Sequence, residues 1–596
     1  MRKLTFFLVT LLALVMLMTA CNDDKTPIET GTTPVQTTES VEGTTEPTPS
    51  VCAHVEGEWI VDADATCSKD GARHTVCTLC GETVKNEVIP ASHLECDWIV
   101  DTYAAADRTG SKHTECIVCG KTLKTEEIPM ATPSEGLIFK SNGDGTCYVS
   151  NIGKCTDKDV VIPLTSPDGD KVTSIVEKAF KGCSTMESVT IHDSVTSIGQ
   201  NAFSYCANLR RVTLGRGVKV IEEETFMECI DLTSIVISEG VTTIGMRSFQ
   251  GCDKLASVTI PKSLTEIKRM AFNACNRLVE VVNHSNIKIT PGKTGNGSIA
   301  QVAMIVHDGD SMIRGLDGYL FFPCDGKNYL IDYVGNETEL TLPGSYKGEN
   351  YEIYDYAFYW DFKLTSVVVP DTVTNIGNSA FERCMALESI TLPTSLTGIG
   401  ARAFTWCTRL KNITIPQGVT AIGDNAFEDC HYLESIVFPE GVTTIGNWAF
   451  FRCSVLKSVT IPASLTVMGE YAFCGCDELE ELRITDLAAW CKMTFGEDTI
   501  DPLTGSYKLY LNDKQVTDLV IPEGITELPI FVFLGCTDLK SVTIGKDVKI
   551  IGKEAFFNCI NLTDVYYEGS EADWAAITMG ESNECLTDAN IHYNSK

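Results

Sequence analysis

A phenylalanine returns every 23 residues through most of this chain, with a cysteine three positions behind it. Phe180, Phe203, Phe226, Phe249 and Phe272 are followed by Cys183, Cys206, Cys229, Cys252 and Cys275. A second run holds Phe358, Phe381, Phe404, Phe427, Phe450 and Phe473, and the last pair is Phe533 and Phe556. A fixed period of this length marks a solenoid, in which each unit buries its apolar face only by stacking on its neighbours. The 596 residues then reflect units added to one another, because a single core does not grow to that size.

One unit contains Ile422, Gly423, Ala426, Phe427, Cys430, Leu433, Ile436, Phe438, Pro439 and Val442. Residues 435–438 alternate in polarity, the period of a strand, and Pro439 ends the pairing because it lacks an N–H. The spacing Ala-Phe-x-x-Cys-x-x-Leu fits one short helical or 3₁₀ turn. The expected fold is a repeat solenoid, mainly β with short helical or 3₁₀ turns, whose strands form a continuous parallel sheet along one face. The repeat cysteines are expected as buried thiols. Distance alone would permit disulfides between coils, but ladder side chains point the same way.

Units such as Ile399-Gly400, Ala403-Phe404, Cys407, Leu410, Ile413, Ile415 and Pro416 resemble the BspA-like branch of the leucine-rich repeat family. The resemblance covers 170–596, with insertions at 280–356 and 485–520 and a C-terminal cap from Trp574 to Tyr593. It implies a curved right-handed solenoid and a role among surface adhesins or host-interaction proteins. Residues 132–169 read as the N-terminal cap, with a hairpin around Asp144-Gly145. Exposed strand positions are rich in threonine, which suits a solvated strand. Residues that break the pattern are freer to bind. Tyr351, Tyr354, Trp360, Arg483 and Tyr566 are the binding candidates.

The N-terminus reads as an export signal. Arg2 and Lys3 precede the apolar run 4–18, then Thr19, Ala20 and Cys21. Residues 1–21 resemble a bacterial lipoprotein signal, which implies lipidation at Cys21; the alternative is a plain secretory signal. Residues 22–51, rich in Thr, Pro and Glu, read as a disordered tether reaching about 100 Å at full extension. No other run is apolar enough to span a bilayer, so the lipid is the expected membrane contact. A net charge of −33, with no cluster of Lys and Arg, excludes nucleic acid as a partner.

Residues 52–131 carry a separate duplication of period 39. The shift maps His54 onto His93, His74 onto His113, Cys77 onto Cys116 and Cys80 onto Cys119. Each copy thus holds two histidines and a C-x-x-C, a tetrahedral ligand inventory for structural zinc. Small units with few apolar residues gain folding energy from such a metal. Disulfides are the competing reading in an oxidising compartment. Cys52, Cys67 and Cys96 have no counterpart under the shift and stand outside the shared set.

No nucleophile elbow, P-loop or His-Glu-x-x-His is present, and the remaining histidines share no phase, so the expected role is non-enzymatic. The expected function is that of a lipid-anchored bacterial surface protein, its solenoid face binding protein or glycan on host or neighbouring cells. The alternative is a scaffold that organises other components of the bacterial envelope.

Overall fold

The computed structural model describes residues 54–63, 67, 69–91, 93–496 and 506–595. The expected signal 1–21 with Cys21, the tether 22–51 and Cys52 lie outside the described residues, as does part of the second insertion. The described residues divide into two compact units, one of residues 54–63 and 72–88, the other of residues 67, 69–71 and those from 89 onward.

In the first unit, β1 (Glu56–Ala63), β2 (Gly71–Cys77) and β3 (Thr83–Ile89) form a three-stranded sheet. The second copy of the 39-residue repeat has the same design: β4 (Ile99–Thr102), β5 (Gly110–Glu115) and β6 (Thr122–Ile128) pair antiparallel. This copy is built into the solenoid's own unit. Cys96 and Ile117 join the solenoid core, the Glu115 carboxylate pairs with Arg314, and Arg108 meets Asp193 at 2.8 Å. The cap hairpin follows as β7 (Ile138–Ser141) and β8 (Thr146–Asn151), and β8 then pairs parallel with the first coil. Cys147 and Cys155 are both free and buried.

Each coil has three sides. One carries a strand such as Ser234–Val236 or Ser257–Ile260, the next a two-residue strand such as Thr243–Ile244. Both pair in parallel with the same positions one coil on, as Val236 with Thr259 and Ile244 with Ile267. Two parallel sheets therefore run along the array where the sequence indicated one. The second comes from the Ile-Gly corner, too short to show a strand period. Its glycine is required by close stacking: a Cβ on Gly423 would lie 2.6 Å from the Ala401 nitrogen of the preceding coil.

The third side is the Ala-Phe segment, a string of β-turns whose N–H groups alternate in direction. Ala179 and Lys181 donate back to Val176 and Lys178, while Phe180 and Gly182 donate forward to Ala202 and Ser204 of the next coil. Holding that alternation places a non-glycine residue in the left-handed region in most coils, as at Asn201 and Tyr205 or Asn425 and Asp429. Each such residue costs on the order of 1 kcal/mol or more, offset by backbone bonds between coils.

Inside, the phenylalanines stack face to face. Phe358, Phe381, Phe404, Phe427, Phe450 and Phe473 form one column with ring centroids 4.9–5.3 Å apart, and Phe180 to Phe272 form another. Every repeat cysteine in these columns after the first coil donates its thiol to the phenylalanine carbonyl of the preceding coil. Cys430 reaches Phe404 O at 3.3 Å, and Cys453 reaches Phe427 O at 3.2 Å. A thiol thus fills the space of a small apolar group and supplies a donor to a buried acceptor. Burial pushes these thiols well above their usual range.

The insertion 280–356 ends one column and begins the next. Glu280–Asn283 and Ile305–His307 finish a sheet of the first array. Tyr319–Cys324 and Lys327–Tyr333 then pair antiparallel and open the ten-stranded sheet of the second. The interior is accordingly divided into two large clusters, with a small one of Ala256, Val279, Phe322, Cys324 and Ile331. At this seam Arg277 is buried, bonded to Asp332 at 2.6 Å and to the Tyr359 carbonyl at 2.9 Å. The insertion 485–520 is a lengthened coil: Thr494–Phe495 and Lys508–Leu511 keep sheet positions, and Trp490 donates to the Val532 carbonyl at 2.7 Å.

Two substitutions report on this interior. Phe427→Ala, in mid-column, is expected to cost about 3–5 kcal/mol, and Cys430→Ala about 1–2 kcal/mol, read from guanidinium unfolding. Arg277→Met strands the Asp332 carboxylate and is expected to cost about 3–5 kcal/mol, most of it recovered in the double variant with Asp332→Leu.

Candidate functional site

Among the described residues, two groups of side chains of a type able to ligate a metal stand in the N-terminal modules. In the first, His54, Cys77 and Cys80 bring their ligand atoms within 4.8 Å of one another; in the second, Cys67, His93, Cys116 and Cys119 do the same. The copies repeat one geometry. His54 Nδ1 lies 3.4 Å from Cys80 Sγ, and His93 Nδ1 lies 3.6 Å from Cys119 Sγ. Each C-x-x-C closes a tight turn, Gly81 N–H to Cys77 O at 2.9 Å and Gly120 N–H to Cys116 O at 2.8 Å. Both glycines sit at positive φ, 77° and 71°, which explains the glycine after each motif.

The histidines at 74 and 113 lie outside these groups, contrary to the ligand set read from the duplication. His113 lies on β5, three residues before Cys116, and strand geometry puts that about 10 Å away on the opposite face. Its Nδ1 instead meets Asp101 Oδ1 at 2.7 Å. His74 occupies the same place on β2, opposite Ile60. In the second group the fourth position belongs to Cys67, 3.2 Å from Cys116 Sγ. The duplication hid it, since its shifted counterpart is Ala106. Burial raises Cys116, but the Cys119 N–H, the Cys67 thiol and the Val118 N–H outweigh it and bring Cys116 to about 6. The hydrogen bond to Cys116 pushes Cys67 up to about 11.

On the solenoid, the third position of the longer strand keeps one register; Val161, Thr213 and Val282 of the first array are buried there, and the position opens outward through the second array. Thr341 pairs with Val368 and Val368 with Thr391; further on, Val437 pairs with Thr460, Thr460 with Arg483, and Arg483 with Tyr510. Val236, Val437 and Val520 are more than half exposed there. In the last array the row is Val520, Thr543, Tyr566 and His592. Arg483 lies 4.5 Å over the Tyr510 ring while bonded to Glu481 and Asp513, and Tyr566 stacks on His592 at 4.7 Å. Two of the binding candidates thus sit on this row.

The other three lie at the seam. Tyr351 is buried, edge-on to Phe321, with its hydroxyl donating to the Pro343 carbonyl; it is a core residue and not a surface contact. Tyr354 packs against the small seam cluster. Trp360 lines a cleft of about 150 Å³ together with Arg210, Asp231, Asp253, Asp332 and Asp361, and carries the Arg383 guanidinium 4.6 Å above its ring. Burial pushes the Asp253 carboxyl up to about 6, against the pull of Arg277.

Parallel coils stacked on columns of Phe and Cys, with strand positions repeated in register from coil to coil, define a leucine-rich-repeat type solenoid. The model of the BspA type leucine rich repeat region matches in six copies over residues 160–289, 351–480 and 505–575, more than half of the chain, and the chain belongs to that family. Among solved structures, a leucine-rich repeat protein from Bacteroides ovatus is 25% identical over 77% of this chain and 98% of its own, with a TM-score of 0.38. A leucine rich cell surface protein from Faecalibacterium prausnitzii is 24% identical over 62% of this chain and 98% of its own, with a TM-score of 0.29. No curated protein matches the chain.

Asp253 supplies a pH test of the cleft. An unfolded aspartate ionises near pH 4. Between there and about 6, the folded chain keeps a proton that the unfolded chain has lost, so stability falls as pH rises through that window. Asp253→Asn is expected to remove this slope, raising stability at pH 7 by about 2 kcal/mol and leaving it unchanged at pH 4, as read from denaturant midpoints.

Proposed function

We propose that this chain is a lipid-anchored bacterial surface protein whose solenoid binds protein or glycan on host or neighbouring cells through its outward strand row. The observation that carries this reading is the row itself. Threonine and valine side chains repeat in register, one per coil, and lead into the Arg483–Tyr510 and Tyr566–His592 stacks. Such a row offers hydroxyls, small apolar contacts and aromatic faces at a constant spacing of about 4.8 Å, a pattern suited to a repetitive or extended partner. Membership of a family of interaction scaffolds supports a binding role over a catalytic one. The N-terminal Arg2-Lys3, the apolar run and Cys21 support export and lipid anchoring.

Binding of the purified chain to host matrix proteins and to isolated cell wall separates adhesion from an envelope scaffold. The double variant Val437→Glu, Thr460→Lys, whose opposite charges face each other across the strands, is expected to weaken matrix binding about tenfold with an unchanged unfolding midpoint. Saturable binding to cell wall alone would favour the scaffold, and unaltered binding by the variant would remove the row from the site. In cells, Cys21→Ser is expected to move the chain from the membrane fraction to the medium. Retention in the membrane would end the anchoring proposal.

A further inference from the structure

We propose that Cys67, His93, Cys116 and Cys119 form a closed structural zinc centre, a Cys₃His set in which Cys67 is the fourth ligand. Three thiols and an imidazole are a standard tetrahedral inventory for zinc. A tetrahedron with zinc–sulfur bonds of about 2.3 Å has sulfur–sulfur edges of about 3.8 Å. The four ligand atoms lie within 4.8 Å of one another, with 3.2 Å from Cys67 Sγ to Cys116 Sγ and 3.6 Å from Cys119 Sγ to His93 Nδ1. A small inward or outward adjustment of each side chain reaches bonding distance.

The backbone holds three of the four in place before any metal arrives. Cys116 and Cys119 sit on the turn closed by Gly120, and residues 93–95 run beside it. The Ile117 N–H donates to the Leu94 carbonyl, and Glu95 bridges to Cys116. The same His Nδ1 to second-Cys contact recurs in the first module, so the pairing is a property of the repeat and not of one loop.

Cys67 comes from a segment that apolar burial cannot fix. Residues 64–71 contain no large apolar side chain. Asp70 holds the segment through the Ala91 N–H at 2.6 Å, and Cys67 ends at the sulfur of Cys116. A metal bond at Cys67 supplies what this stretch lacks. With all four positions filled by protein, no site remains for substrate, so the centre is structural. A Cys67–Cys116 disulfide is the rival chemistry; it would leave His93 and Cys119 facing each other without a shared ligand.

Zinc content of the full-length chain, purified under reducing conditions and freed of loosely held metal, decides the matter. Cys67→Ser is expected to hold one zinc fewer per chain than the wild type, whereas His113→Ala holds the same amount. Cys67→His, which restores a ligand, is expected to recover the lost zinc, and the circular dichroism of the solenoid reports that each variant has folded. Equal zinc in the wild type and Cys67→Ser would overturn the assignment. So would loss of zinc in His113→Ala, or a Cys67–Cys116 disulfide mapped in chains whose thiols were alkylated at harvest.

Discussion

The contact on which everything else rests is the one a coil makes with the next through its phenylalanine and cysteine. The ring lies flat on the ring before it, and the thiol of the following turn closes on that earlier residue's carbonyl. Neither contact can form within one unit. The turn segment reinforces this dependence, since alternate N–H groups point out of the coil to the next one. Stability is therefore a property of adjacency, with each coil's folding free energy residing in the interfaces above and below it. The left-handed residues and the corner glycines follow from the same requirement, as devices that keep successive backbones close enough to bond.

A column that is satisfied internally leaves the outer strand row under light constraint. Its side chains must be compatible with a strand, but they are not needed for packing. This freedom is visible in the substitution of arginine, tyrosine and histidine into a row otherwise made of threonine and valine. Architecture and recognition are thus assigned to opposite sides of the same three residues: Val459 points to the core while Thr460 faces out.

The repeat makes the solenoid legible because packing identical coils forces identical residues, so that Phe, Cys, Leu and Pro recur at fixed places in each coil. The second sheet was not legible, since two residues ending at a glycine carry no measurable alternation. The seam was hidden for a different reason. Arg277 and Asp332 are 55 positions apart and belong to no repeat, so nothing local distinguishes them from surface charges. Tyr351 lies in a dense aromatic stretch, where nothing local separates a surface aromatic from a buried one; it is buried where the core restarts. In the N-terminal modules the two copies share His74 and His113, so the duplication points to these two. Cys67 occurs in only one copy, and nothing in the 39-residue spacing pairs it with Cys116.

The seam at Arg277 has a mechanical consequence. Along either column, extracting one coil exposes a ring and an unpaired carbonyl on the next, so tension is resisted by many similar steps in series. Between Phe272 and Phe358 that succession stops, and two large apolar interiors meet through a handful of side chains and one buried ion pair. A chain held at one end and pulled at the other would give way there first, releasing one array as a block while its companion stays folded. Under load the division of the interior would favour extension in two stages, one array before the other.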